Sequence, residues 1–170
     1  MTIAASSAPK IPGMLIEFLD RASVGIASTR GRDLTPAIHF LAGWRVEENG
    51  EIIECLVARG FTDGLEENLA DNGRLTLTAE VIGPHETYQF KGTSEGSRPA
   101  GVADAPIHEA CRRRFFDACQ KYYAGQFRDE DVRAKIGPPA VVVRLRVNEV
   151  YIQTPGPAAG KRLFPAAGRK

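Results

Sequence analysis

At 170 residues the chain is long enough to bury roughly two-thirds of the surface that its unfolded form would expose, and too short for two ordinary domains. Its hydrophobic fraction of 43% and charged fraction of 25% are those of a globular protein and exclude a disordered or fibrous one. Lys and Arg number 22 against 21 Asp and Glu, and the resulting formal charge of +1 gives no electrostatic basis for binding nucleic acid or an anionic membrane. The opening residues, MTIAASSAPKIPG, have no basic region followed by an apolar core, and no later segment has the apolar length of a membrane span. A cytoplasmic, single-domain protein is expected, with its core over residues 14–154 and a Pro/Gly/Ala-rich tail over 155–170.

The first element expected is an amphipathic helix over residues 13–22, where Met14, Leu15, Phe18 and Leu19 recur at helical spacing after Pro12 and Gly13. It should cap one end of a barrel. SVGIAST, residues 23–29, reads as a strand, and the RGRD turn returns the chain into TPAIHFLAGWRV as its hairpin partner. Asn49-Gly50 is a turn signal, and EIIECLVA follows as a third strand. Between residues 61 and 73 the period changes. Leu65 and Leu69 lie four apart, Asp63 and Glu66 stand as a capping-box pair, and Gly73 sits where a helix ends, so a short crossing helix is expected.

RLTLTAEVIG alternates apolar Leu75, Leu77, Ala79 and Val81 with polar neighbours, the pattern of a strand with one wet face, and HETYQFKGTSEG is its partner. A longer helix starts near Asp104 and Pro106, with Cys111, Phe115, Cys119 and Tyr122 as its apolar stripe. Successive helical residues point about 100° apart, so Arg112, Arg113 and Arg114 form a solvated or salt-bridged surface and no phosphate clamp. In AVVVRLRVNEVYIQT the apolar phase slips by one after Val147, which calls for a β-bulge near Asn148 and Glu149. About six strands, a crossing helix and one longer helix describe an α+β fold built on a small antiparallel barrel.

Motifs of several enzyme classes are missing: there is no HExxH, GxSxG, P-loop or GxGxxG after a strand. His39, His85 and His108 lack metal-ligand spacing, so no metal site is expected. Cys55, Cys111 and Cys119 form no CxxC pair, and the latter two are separated by about 12 Å of helical rise; all three read as reduced, buried residues.

The order SVGIAS, turn, TPAIHF, then CLVARGFTDGLEENLADNGRLTLTAEV and ETYQFKG resembles the pyridoxamine 5'-phosphate oxidase-like family of FMN-binding split barrels. The phrase Asn68-Leu69-Ala70-Asp71-Asn72-Gly73-Arg74 and the terminal QTPGPAAG add to the likeness, which spans about residues 14–163. The resemblance implies a split β-barrel that forms a homodimer, with FMN in the grooves between subunits and a flavin-dependent oxidoreductase activity. By position, Pro36, Ala37, Ile38 and His39 would line the flavin ring. Val57, Ala58, Arg59, Gly60 and Thr62 would approach the ribityl phosphate, and Gln89 and Lys91 would reach in from the fifth strand. No catalytic residue stands out.

Many members of that family carry Ser-Arg-Lys, or a Lys, at the start of the crossing helix. This chain has Asp63, Gly64 and Leu65 followed by Glu66 and Glu67, an acidic first turn that competes with a phosphate for the helix N-terminus. Arg59 is the nearest replacement cation, and Arg30 or Arg32 the next. The alternatives are a non-catalytic module for a flavin, a deazaflavin or haem, with His39 as the first suspect haem ligand, or a dimeric barrel with an empty groove.

Overall fold

The computed structural model describes residues 10–123 and 125–165. Six antiparallel strands form a closed barrel: β1 Val24–Arg30, β2 Pro36–Val46, β3 Ile52–Ala58, β4 Arg74–Val81, β5 Glu86–Pro99 and β6 Pro139–Ile152. Neighbours run β3-β2-β1-β4-β5-β6, and β6 pairs back onto β3 to close the ring. Helix α1, Gly13–Arg21, precedes β1, and α2, Leu65–Asn72, crosses between β3 and β4. A 3-10 turn, Val102–Asp104, leads into α3, Ala105–Tyr122, which is followed by α4, Asp129–Lys135. A seventh strand, β7, Arg162–Phe164, pairs with β6.

The barrel interior is filled by the inward positions of each strand, among them Ala27, Leu41, Ile53, Leu77, Phe90, Val143, Leu145 and Val150. Helix α1 plugs one end by adding Leu15, Phe18 and Leu19 to that cluster, with the Phe18 ring edge-on to Tyr88 at 4.7 Å. Each of these three side chains gains roughly 1.5–3 kcal/mol from burial, before the cost of ordering it. Met14, expected on the same stripe, is exposed.

All seven residues of β3 are buried, because its outer face is covered as well. There Ala42, Leu56, Ala58 and Val142 form a second small core, packed against Phe61, Ala100, Ile107 and Ile136. Asp104, next to the start of α3, fixes this cover. Its buried carboxylate takes two 2.8 Å hydrogen bonds from the Arg98 guanidinium and one from the Gly101 N–H. The Arg98 guanidinium holds the Asp104 carboxyl down to about 2.

The bulge expected near Asn148 is present: Lys91 opposes Glu149 and Gly92 opposes Val147, which leaves Asn148 as the extra residue and restores the inward phase at Val150. Three further expectations are corrected, and one unexpected helix is present. Asp63 and Glu66 do not make a capping box; Gly64, at φ +70°, takes the N-cap position of α2 with no side-chain cap. The tail is not wholly loop, because β7 pairs with β6; residues 166–170 lie outside the described residues. Helix α4 had no counterpart in the sequence reading. Tyr122, the last member of the α3 stripe, is exposed, whereas Cys111 and Cys119 are buried. The cysteines are unpaired, and burial pushes the Cys55 thiol up to about 12. The arginine run divides its roles: Arg112 is buried in ion pairs with Glu109 and Asp129, Arg113 is exposed, and Arg114 donates to the Ala22 carbonyl.

Candidate functional site

Among the described residues, helices α3 and α4 cover only one side of the barrel; the outward residues of β1, β4 and β5 are partly exposed, and those of the first half of β2 are bare. Strand register arranges that face in rows. Phe40 of β2 stands beside Ile26, then Thr78, Gln89 and Tyr151. Ile38 stands beside Ser28, then Thr76, Lys91 and Glu149. Directly opposed residues in an antiparallel pair share a face, so the apolar end of each row is on β2 and the polar end on β5 and β6. Ile38 is 62% exposed and Phe40 41%, and Leu34, in the turn before β2, is 68% exposed. Gln89 donates to Thr78 Oγ1 at 3.3 Å, and the Lys91 ammonium lies 4.6 Å from the Tyr151 ring. Alternation brings Ile38, Gln89 and Lys91 to the outside of the barrel, but β2 and β5 stand three places apart in the six-strand ring, so Ile38 lies on one wall and Gln89 and Lys91 on the opposite one.

His39 alternates to the other side of β2 and is wholly enclosed, 0% exposed. Its Nδ1 lies 2.8 Å from the Phe61 carbonyl oxygen and its Nε2 2.9 Å from Thr29 Oγ1, which in turn accepts from Asn68 Nδ2 at 2.9 Å. A carbonyl can only accept, so Nδ1 carries the ring proton, Nε2 is bare, and the Thr29 hydroxyl donates to it. Burial pushes His39 below its ordinary value, against smaller opposing contributions from the Phe61 carbonyl and Asp63. Both ring nitrogens are hydrogen-bonded inside the barrel wall, so in this arrangement neither is turned to the outer face where a bound group would lie.

Cavities border the two ends of the bare stretch of β2. The first, about 540 Å³, lies where the β1–β2 turn meets α2; Pro36, Ala37, Gly64 and Asn68 line it, together with Arg32, Asp33, Glu67 and Asp71. Its charged lining is three carboxylates to one guanidinium, and Arg32 is bonded to Asp71 at 3.0 Å. The Asp33 carboxyl is held below its ordinary range by hydrogen bonds from the Thr35 side chain and backbone, and Asp71 by Arg32. Of the two first-turn acids, Glu67 borders this cavity and Glu66 does not.

The second cavity, about 420 Å³, lies between the other end of the run and α3 and α4. Phe40, Leu41, Phe61, Phe115 and Ile136 line it, and Arg59 is its one charged lining residue among those described. The Phe40 and Phe61 rings meet edge to face at 4.9 Å. Arg59 therefore faces the apolar cleft and does not border either cavity formed by the first turn of α2. Thr62 lines a shallower groove with Gly64, Glu66 and Val141. Val57 and Ala58 are fully enclosed, and Gly60 is exposed in the turn that follows them.

The fold and the bare face define an antiparallel split barrel. The solved structure of HupZ from Group A Streptococcus is similar to the chain, with 17% identity and a TM-score of 0.52, covering 88% of this chain and all of that one. A candidate pyridoxamine 5'-phosphate oxidase from Lactobacillus delbrueckii is similar at 14% identity and a TM-score of 0.50, covering 86% and 97%. The fold implied by the sequence resemblance is thus the fold found. No protein-family model matches the chain, and no curated protein matches it. No helix among the described residues is long and apolar enough to cross a membrane.

Proposed function

We propose that this chain is a flavin-binding protein of the pyridoxamine 5'-phosphate oxidase-like family, a homodimer that covers its bare sheet face with a second copy and works as a flavin-dependent oxidoreductase. The observation that carries the reading is the exposed apolar pair on the outer face of β2, where Ile38 and Phe40 stand in register with Ser28 and Ile26 of β1 and Thr76 and Thr78 of β4 follow. An apolar patch with a polar border on an otherwise folded surface marks an interaction site, and a planar aromatic ring needs both parts.

The residues fit the two ends of FMN unequally. Along β2 from Ala37 to Phe40 the strand advances about 10 Å, and its outward side chains give a ring an apolar floor. The cavity at the Pro36 end does not fit a phosphate dianion, because Asp33, Glu67 and Asp71 outnumber Arg32, and Arg32 is already paired. Affinity for FMN then comes from its ring, and riboflavin, which lacks the phosphate, should bind at least as tightly. Flavin itself supplies the hydride chemistry of such proteins. What this chain contributes is the apolar floor on β2 and the cover of a second subunit; Gln89 and Lys91, on the opposite wall of the barrel, would reach a flavin only from that second copy.

The test is fluorescence titration of flavin-free protein with FMN and riboflavin, alongside sedimentation at micromolar concentration. A dimer that binds riboflavin with an affinity equal to or above that for FMN is expected. A monomer that binds neither flavin overturns the reading.

A further inference from the structure

We propose that the cleft between β2 and helices α3 and α4 binds a small organic anion with an aromatic or aliphatic body, its carboxylate or other single negative group held by Arg59. The cleft adjoins the flavin face through Phe40, and the proposal rests on the flavin reading only for the identity of its neighbour; binding to the cleft stands without it.

The lining makes the argument. At about 420 Å³ the cleft is within the range of small-molecule pockets, and Phe40, Leu41, Phe61, Phe115 and Ile136 give it a continuous apolar wall. Arg59 lines the cleft and has no ion-pair partner among the described residues, whereas Arg45, Arg98, Arg112, Arg128, Arg133, Arg144 and Arg146 are paired; of the other arginines without an ion pair, Arg30, Arg74, Arg113 and Arg114, none lines the cleft. Arg presents a planar fork that matches a carboxylate with two parallel hydrogen bonds.

The mount is also fixed. The Arg59 N–H donates to the Pro138 carbonyl at 2.9 Å, which ties the turn after β3 to the segment after α4. Two residues on, the Phe61 carbonyl is held by buried His39. An arginine on a tethered backbone, in a lining that holds three aromatic rings and, among the described residues, no carboxylate, selects a ligand that is apolar over most of its surface and anionic at one end. A phosphate-bearing nucleotide is excluded by its other polar groups, and a neutral apolar molecule leaves the guanidinium unused.

The experiment uses flavin-free full-length protein and two dyes of one shape class, anionic 8-anilinonaphthalene-1-sulfonate and uncharged N-phenyl-1-naphthylamine. Wild type should bind the anionic dye at one site per chain. Arg59→Gln should weaken that dye about tenfold or more while moving the neutral dye less than about twofold, and Arg59→Lys should recover part of the loss. Phe115→Ala should weaken both dyes. Arg59 is exposed, so its variants should fold, and thermal unfolding checks that they do.

Equal changes for the two dyes with Arg59→Gln, or none for either, overturn the proposal. So does loss of dye binding in Ile38→Glu with no loss in Phe115→Ala, which places the dye on the bare sheet face. Repeating the flavin titrations on Arg59→Gln separates this proposal from the flavin reading: unchanged FMN and riboflavin affinities are expected, and selective loss of FMN assigns Arg59 to the flavin phosphate and removes it from this role. A wild type that binds no flavin but shows the dye pattern leaves the cleft proposal standing and removes the flavin one.

Discussion

Glu67→Lys tests the charge at the phosphate end of the flavin face. The cavity there has three carboxylates and one guanidinium, a net charge of −2 among its lining side chains, and one substitution brings it to zero. Two unit charges about 8 Å apart interact by about 0.5 kcal/mol in water. A phosphate ester carries about −1.5 to −2 near neutral pH, so reversing one lining charge is worth about 1.5 kcal/mol at low salt and less at physiological ionic strength. The affinity for FMN should rise about tenfold, and that for riboflavin should stay within about twofold. Flavin fluorescence titrations at two salt concentrations read this directly, and added salt should shrink the gain. Parallel gains for FMN and riboflavin would refute the electrostatic argument, as would no gain for either. Glu66→Lys is the internal control: Glu66 does not line this cavity, and its effect should be the smaller.

Other substitutions probe the remaining steps. Ile38→Glu puts a charge on the proposed dimer face and should turn the dimer into a monomer in sedimentation, with the monomer still folded because the side chain is exposed within its own chain, and with a lower unfolding temperature from loss of the second copy. For buried His39 the folded-state pKa lies below the ordinary 6.5, so the unfolded chain takes up the proton first. The stability associated with the neutral ring is complete above pH 6.5 and is lost as the pH falls from there toward the folded-state value. Denaturant titrations from pH 7.5 to 5 should show that slope in wild type and a flatter one in His39→Gln; equal slopes would contradict the assignment. A Cβ at Gly92 would lie 1.8 Å from the Arg146 carbonyl oxygen, so Gly92→Ala should cost more than about 2 kcal/mol in chemical unfolding.

The barrel was legible because its signals are local. Alternation in β4 and the phase slip in β6 each follow from which side chains must face inward, and both the strand and the bulge stand where those patterns put them. Elements made of polar residues were not legible. Helix α4 is DEDVRAK, in which Val132, the one fully buried side chain among those described, gives no period, and β7 is three residues in a Pro/Gly-rich tail. The α2 cap failed for a backbone reason, since Gly64 adopts a left-handed conformation and takes the position that a capping side chain would have held. At the candidate site, the motif order marked β2, but only the register decides between its faces. It sends His39 inward, where both nitrogens are bonded, and leaves Ile38 outside, in register with Ser28 of β1. Arg59 was found by its charge and its place after β3; that it faces an apolar cleft depends on α3 and α4, more than 50 residues further along.

The hydrogen bonds through His39 make the bare face a ruler. Asn68 borders the cavity at one end and the Phe61 segment borders the cleft at the other, and the Thr29 hydroxyl and the His39 ring join them inside the barrel wall. Neither end can shift alone without stretching this largely buried chain of hydrogen bonds. The span between the two recesses is therefore set by the covalent length of β2 and one imidazole ring, and a molecule that touches both must match that span, because the protein will not stretch to meet it.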